Sequence, residues 1–203
     1  MVATRVPSMI VVVVAVLTAS VTVAQEPSEA QRAFEAGRYQ QVVDAAGAGA
    51  DPAVLFLGAL SAQKLNATDR ANAFLDQLAQ RPDTDAWHYV GLSAKQLLAG
   101  DDEAALDSAR RATAADGALP EASYALGLVL IKRQDWGGAA AAFDRAWMQN
   151  PSFAYAHYYA GLSHNRASRP DLMAARFERF LKLAPDAPER TEVQQIMRTV
   201  RGR

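Results

Sequence analysis

The chain has 203 residues, of which 50% are apolar and 21% are charged, and its formal net charge is −1. This balance excludes a general nucleic-acid binder and a polyacidic tail, because both need a large excess of one charge. The chain has no cysteine, so it forms no disulfide and lacks the attachment residue of a bacterial lipoprotein. Its length allows one domain with its own apolar core or a short array of repeats.

The N-terminal residues differ in composition from the rest of the chain. Arg5 precedes an apolar run, residues 10–24, which ends in small residues before the polar sequence QEPSEAQ. This order is typical of a secretory signal peptide and predicts removal of residues 1–24 by cleavage between Ala24 and Gln25. We therefore expect an exported protein of the bacterial periplasm. The alternative is an uncleaved run that anchors the chain to the inner membrane.

The apolar run is short for a permanent membrane span. As a helix, its 15 residues would reach about 22 Å, whereas the hydrocarbon core of a bilayer is roughly 30 Å thick. No later stretch has the run of about 18 to 20 apolar residues that a span requires. The mature chain is therefore predicted to have no membrane span.

Four similar hexapeptides recur along the chain: AVLFLG, AWHYVG, ASYALG and AHYYAG. They end at Gly58, Gly91, Gly127 and Gly161, so the interval between them is nearly constant. Three of these glycines are each followed, at one fixed spacing, by a phenylalanine and then a proline, namely Phe74 and Pro82, Phe143 and Pro151, and Phe177 and Pro185. Such a period predicts a solenoid of stacked repeats.

Each repeat is predicted to contain two helices. In the unit that begins at Pro120, an apolar segment is followed by a break at QDW and then by an alanine-rich segment. The second segment ends at Asn150, because a residue before proline avoids the helical region. The preceding unit carries Ala109 and Gly117 in place of the phenylalanine and proline. These two residues lie two positions further from Gly91 than the phenylalanine and proline lie from the glycine in the other units. Two additional residues within KQLLAGDD account for this difference.

This pattern resembles that of the tetratricopeptide repeat (TPR) family. The family's leucine–glycine pair, its small and aromatic residues and its closing proline match Leu126, Gly127, Ala139, Phe143, Ala146 and Pro151, and Trp87 matches its tryptophan. The resemblance implies an all-α fold, a right-handed α-solenoid of antiparallel helix pairs. It divides the chain into a partial repeat at 25–50, four units within 51–187 (about 51–83, 84–119, 120–153 and 154–187) and a C-terminal capping helix at 188–203.

The C-terminal segment has the pattern of an amphipathic helix. Val193, Ile196, Met197 and Val200 fall on one face, as expected of a cap that covers the last repeat. The alternative is a basic helix that lies on a membrane, but acidic residues partly balance its arginines. We therefore predict a cap.

In TPR proteins the first helix of each repeat lines a concave groove in which partners bind. The resemblance places Leu55, His88, Leu92, Tyr124, Leu128, Ile131, Tyr155, Tyr158, Leu162, Asn165 and Arg166 in or beside this groove, with Glu121 and Lys132 at its border. These mainly apolar side chains favour a peptide or an amphipathic helix, and the family's clamp for an acidic carboxy terminus is missing. The resemblance implies a non-catalytic interaction module, an adaptor or scaffold of the bacterial cell envelope.

Residue types that carry catalysis or bind metals are few. The histidines are His88, His157 and His164, and the sequence has no HExxH, glycine-rich phosphate loop or GxSxG motif. His157 and His164 can share a helix face but lack a third ligand close in sequence, so we predict no metal site and no cofactor. Two alternatives stay open: an enzyme or accessory subunit with a groove site at His88, His157 and Tyr158, and a structural protein that forms homo-oligomers.

Overall fold

The computed structural model describes residues 26–201, which form eleven α-helices joined by short connections. The predicted signal peptide lies outside the described residues. The helices are α1 (Glu29–Glu35), α2 (Tyr39–Ala45), α3 (Pro52–Lys64), α4 (Thr68–Ala79), α5 (Ala86–Ala99), α6 (Asp102–Ala115), α7 (Pro120–Lys132), α8 (Trp136–Gln149), α9 (Ala154–Arg166), α10 (Pro170–Leu183) and α11 (Arg190–Arg201). Consecutive helices pack in pairs and no strand occurs among these residues, so the predicted all-α solenoid is confirmed.

Helix starts are encoded by local sequence. Asp51, Asp85, Asp101 and Asp135 each accept a hydrogen bond of 2.8 to 3.1 Å from a backbone N–H in the first turn of the next helix. These side chains satisfy donors that no helical carbonyl can reach. Proline stands at the start of α3, α7 and α10, where its missing N–H costs no helical hydrogen bond.

The turn inside each helix pair contains one residue in the left-handed conformation. These residues are Gly37, Asn66, Gly100, Gln134 and Ser168, with φ values of 71°, 57°, 80°, 60° and 59°. The last four follow one another at a constant interval along the chain. A left-handed conformation is costly for residues with a Cβ atom. Asn66, Gln134 and Ser168 adopt it without being glycine, so the turns of these three repeats are strained.

The repeated glycines mark places where two helices approach closely. A Cβ atom on Gly127 would lie 2.6 Å from Cζ of Phe143, and one on Gly161 would lie 2.5 Å from the ring of Phe177. Both phenylalanine rings are fully buried. The second helix of each of these two repeats therefore lays an aromatic ring directly on the backbone of the first helix.

Gly91 serves a contact between neighbouring repeats instead. A Cβ atom there would lie 2.6 Å from Cβ of Leu78 and 2.9 Å from the backbone oxygen of Leu75, both on α4 of the preceding repeat. Gly58 meets Ala46, which follows α2, as well as the ring of Phe74 in its own repeat. The repeated glycines thus allow close packing both within helix pairs and between neighbouring repeats.

The two ends of the solenoid meet. The ring of Phe34 on α1 lies 4.8 Å from the ring of Tyr155 on α9. Glu35 Oε1 accepts a hydrogen bond of 3.2 Å from the backbone N–H of Ala154, at the start of α9. The amide of Gln31 donates to the backbone oxygen of Ser152 at 3.0 Å. We call these contacts the closure contacts.

Closure has a direct consequence for the shape of the concave side. The first helices of the repeats (α1, α3, α5, α7 and α9) all contribute residues to one space on the concave side. Aromatic rings fill its centre: Tyr124 packs edge-on against Phe56 at 6.2 Å and stacks on Phe153 at 4.8 Å. Within residues 26–201, no helix has both the length and the apolar character needed to cross a bilayer.

Candidate functional site

A cavity of about 400 Å³ remains on the concave side, beside the aromatic centre. Its walls come from all five inner helices, α1, α3, α5, α7 and α9. The lining residues are Phe34, Leu60, Gln63, Lys64, Leu97, Tyr124, Leu128, Ile131, Lys132 and Tyr159, and we call this space the groove cavity. Sites for small ligands commonly have about 300 to 1,000 Å³, so the groove cavity is large enough to hold an occupant.

The walls of the groove cavity are apolar and its floor is fixed. Leu60, Leu97, Leu128 and Ile131 are each only partly buried, so part of each side chain faces the open space. Tyr124 forms the floor with 1% of its surface exposed. Because that ring is held by aromatic neighbours on other helices, an occupant would meet a preformed surface.

One of the two lysines at the cavity, Lys64, already forms an ion pair with a carboxylate of the same chain. Lys64 Nζ lies 3.0 Å from Glu189 Oε1, and the other carboxylate oxygen accepts a hydrogen bond of 2.6 Å from the Tyr155 hydroxyl. Burial lowers the pKa of Lys64, but nearby Tyr159 and the hydrogen bond and charge of Glu189 outweigh it and leave the pKa above its usual value. Lys64 therefore stays charged and paired.

Three other polar groups on the cavity wall have no such partner. Among residues 26–201, no hydrogen bond or ion pair reaches the ammonium of Lys132, the amide of Gln63 or the hydroxyl of Tyr159. Burial raises the pKa of Tyr159, so its hydroxyl stays protonated and can donate. The groove cavity therefore combines apolar walls with a few polar groups that are free to bind an occupant.

The structure corrects the predicted exposure of the groove tyrosines. Tyr124, Tyr155 and Tyr158 are exposed by only 1%, 0% and 6%, and Leu55 by 5%. Their side chains form the core because the closed solenoid fills the middle of the concave side with aromatic rings. Tyr155 and Tyr158 use their hydroxyls internally, on Glu189 and Glu192.

The other predicted groove residues divide into two sets. Leu128 and Ile131 line the groove cavity, as does the border residue Lys132. The residues outside its lining are His88, Leu92, Leu162, Asn165 and Arg166. The ring of His88 packs edge-on against Tyr89 at 4.8 Å, and the guanidinium of Arg166 lies 5.6 Å from the centre of the Trp136 ring.

Several lining residues escape the sequence-based prediction. Gln63, Lys64 and Leu97 lie near the ends of their helices, later than the positions that the repeat pattern favours. Leu60 lies two residues after Gly58, whereas the predicted groove residue Leu128 lies one residue after Gly127, so the repeat register does not select Leu60. Phe34 carries no local signal at all, because only closure brings α1 to this side of the molecule.

The proposed catalytic set is not assembled. His157 is 2% exposed and stacks on Trp147 at 5.2 Å, and burial lowers its pKa to about 4. His88 lies against Tyr89, while the hydroxyl of Tyr158 donates to Glu192 at 3.4 Å. Within residues 26–201, no hydrogen bond joins these three side chains to one another.

His164 has a separate polar setting between α8, α9 and α10. Its Nε2 lies 2.9 Å from Asp144 Oδ2, and the guanidinium of Arg176 lies 3.1 Å from the other oxygen of that carboxylate. The indole of Trp147 donates to the same carboxylate at 2.8 Å. This cluster ties three helices together. In the described part of the chain, no group of three or more His, Cys, Asp or Glu side chains is arranged to hold a metal ion.

Comparison with solved structures finds a TPR domain of the same fold. The first TPR domain of Spaghetti (RPAP3), determined with the HSP90 peptide SRMEEVD bound, is 19% identical over 59% of this chain and 95% of its own, with a TM-score of 0.55. A crystal structure of MamA is 22% identical over 74% of this chain and 88% of its own, with a TM-score of 0.49. No protein-family model matches the sequence, and no curated protein matches it. The chain has the TPR fold.

Proposed function

We propose that this chain is a non-catalytic protein-interaction module, an adaptor or scaffold that binds a partner peptide on its concave side. The observation that carries the proposal is the groove cavity itself, which is apolar, preformed and lined by all five inner helices. The fold supports it, because the RPAP3 domain has the same fold and was solved with a peptide bound.

The size of the groove cavity favours an extended peptide over a long helix. One turn of α-helix, about 5.4 Å long and 10 Å wide, fills roughly 420 Å³. The groove cavity has about 400 Å³, so a helix would be limited to a single turn there. A few side chains of an extended segment fit the same space, and the rest of the segment stays outside.

The sequence supports a place for this function in the cell envelope. We propose that residues 1–24 direct export, that cleavage after Ala24 releases a periplasmic protein, and that the partner is an envelope component. Cell fractionation followed by N-terminal sequencing tests this step. A mature chain that starts at Gln25 in the periplasmic fraction supports it, and an intact N-terminus in the inner membrane supports anchoring instead.

A crosslinked pull-down from native envelopes tests the binding surface. The bait is the mature chain, compared with Ile131→Asn, which places a polar group in the cavity wall. The matched control is Met148→Asn, because Met148 lies on α8 outside the groove cavity and is 61% exposed. We expect one partner to be captured by the wild type and the control and lost by the Ile131 variant. Equal capture by all three would show that the concave side is not the binding surface.

A further inference from the structure

The C-terminal segment contacts both ends of the solenoid. The ring of Pro188 lies against Gly37, in the turn between α1 and α2, so closely that a Cβ atom on Gly37 would lie 2.6 Å from Cγ of Pro188. At the start of α11, the guanidinium of Arg190 donates to the backbone oxygen of Pro185, just after α10, at 3.4 Å. Residues 188–201 thus join the α1–α2 pair to the α9–α10 pair, and we call them the C-terminal strap.

One carboxylate of the C-terminal strap bridges two inner helices. Glu189 Oε1 lies 3.0 Å from Lys64 Nζ, at the end of α3, and Glu189 Oε2 accepts a hydrogen bond of 2.6 Å from the Tyr155 hydroxyl on α9. Three residues later, Glu192 accepts a hydrogen bond of 3.4 Å from the Tyr158 hydroxyl, also on α9. The first turn of α11 therefore attaches α3 to α9.

This bridge lies at the groove cavity. Lys64 on α3 and Tyr159 on α9 both line the cavity. Burial is the main cause of the raised pKa of Tyr159, and the charges of Glu189 and Glu192 raise it further. The C-terminal strap therefore ties together two walls of the groove cavity. In this closed form the cavity has about 400 Å³, which admits only a few side chains of a partner.

The C-terminal strap is held by few buried groups. Within α11, only Val193 and Met197 are buried, at 0% and 8% exposure, while Ile196 and Val200 are partly exposed. The neighbouring α9 buries nine of its 13 residues. The lysine of the ion pair between the strap and α3 is 39% exposed, so water weakens that pair. Segments with few buried apolar contacts open locally while the rest of the protein stays folded.

We infer that the C-terminal strap is an autoinhibitory contact, which holds α3 and α9 together at the groove cavity and must detach before a partner enters. This inference rests on the proposed function, because it states how access to the concave side is controlled. Detachment removes the bridge and frees the two walls to separate. Since only the open form binds, the apparent dissociation constant equals the intrinsic one divided by the open fraction.

Hydrogen exchange of the mature chain, followed by mass spectrometry, measures the opening of the C-terminal strap. We expect the amides of α11 to exchange through a local opening that depends little on urea, whereas those of α7 and α9 exchange only with global unfolding. The exchange of α11 then gives the open fraction. Amides of α11 that exchange together with those of α7 and α9 would overturn the inference.

A variant with a detached strap measures the effect of opening on binding. Val193→Asp places a charge at a site with 0% exposure, which detaches α11. The matched control is Gln195→Asp, which adds the same charge on the exposed face of α11. If Val193→Asp does not fold by circular dichroism, Glu189→Arg replaces it, because the new charge repels Lys64. A random peptide library is selected on the detached variant, and the most enriched peptide becomes the probe for fluorescence anisotropy.

We expect the probe to bind Val193→Asp more tightly than the wild type by the reciprocal of the open fraction, about ten-fold or more. Gln195→Asp should bind the probe like the wild type. Equal binding by all three proteins would overturn the inference and leave peptide binding intact.

The place where the probe binds is checked with Ile131→Asn added to Val193→Asp. This addition should abolish binding of the probe, because Ile131 lines the groove cavity. A probe that still binds the combined variant occupies the place vacated by α11 instead of the cavity, which overturns the inference. If no peptide is enriched on the wild type or on the detached variant, the proposed function fails and the inference fails with it.

Discussion

Replacing Glu35 by glutamine should stabilise the closed solenoid above neutral pH. The carboxyl group of Glu35 is part of the closure contacts and is 5% exposed. Burial raises its pKa from 4.5 to about 7, against the opposing effects of the hydrogen bonds from Gln31 and Ala154 and the charge of Arg32. The folded chain therefore holds this proton more tightly than the unfolded chain does.

The size of the effect follows from the two pKa values. A rise from 4.5 to about 7 corresponds to about 3 kcal/mol. Because the folded pKa is the higher one, this stabilisation is fully present below pH 4.5 and is lost as the pH rises through 7. At pH 8 the ionised carboxylate is buried at that cost, and a neutral glutamine at position 35 avoids it. We expect Glu35→Gln to raise the free energy of unfolding at pH 8 by about 2 to 3 kcal/mol.

Urea denaturation followed by circular dichroism at pH 5 and pH 8 measures this effect. The control is Glu29→Gln, which removes an exposed carboxyl group from the same helix. The gain from Glu35→Gln should be large at pH 8 and much smaller at pH 5, and the control should change little at either pH. A variant that is no more stable than the wild type at pH 8 would refute the argument that burial of this carboxylate costs free energy.

Three further substitutions probe the repeats and the aromatic centre. Gly127→Ala should lower the urea midpoint at a cost of about 1 to 3 kcal/mol, because the new Cβ would lie 2.6 Å from the Phe143 ring; an unchanged midpoint would contradict the close approach. Gln134→Gly should raise the thermal midpoint through a gain of about 1 kcal/mol, since residue 134 has a φ of 60°, and a lower midpoint would show no strain there. Tyr124→Ala should destabilise the fold by about 3 to 5 kcal/mol, because the ring is 1% exposed and packs against Phe56; a stable, helical variant would place the ring at the surface instead.

The repeat architecture is readable from the sequence because its contacts are local. The fixed spacing from Gly127 to Phe143 reflects a ring that packs on the backbone of the adjacent helix in the same repeat. Helix starts follow from neighbouring residues such as Asp135, whose side chain caps α8 by accepting from the backbone N–H of Gly138. In a solenoid each repeat contacts mainly its neighbours, so short-range patterns are enough to predict helices, pairs and stacking.

The candidate site was only partly predictable. Leu128 and Ile131 follow from the register of the first helix in their repeat, and they do line the groove cavity. The same register also selects Tyr124 and Tyr155, whose side chains are buried. A helix position tells which way a side chain points, but it does not tell whether another part of the chain covers it.

Coverage of the concave side depends on closure, which is a property of the whole chain. Gln31 and Ser152, joined by a hydrogen bond, are 121 residues apart. Whether these two residues meet depends on the rotation and translation between successive repeats, added over all the repeats that separate them. The sequence of one repeat does not specify this total. The local pattern of glycine, phenylalanine and proline specifies the building unit. The accumulated geometry of the stacked units specifies which aromatic side chains become core and leaves Lys132 beside a small apolar cavity.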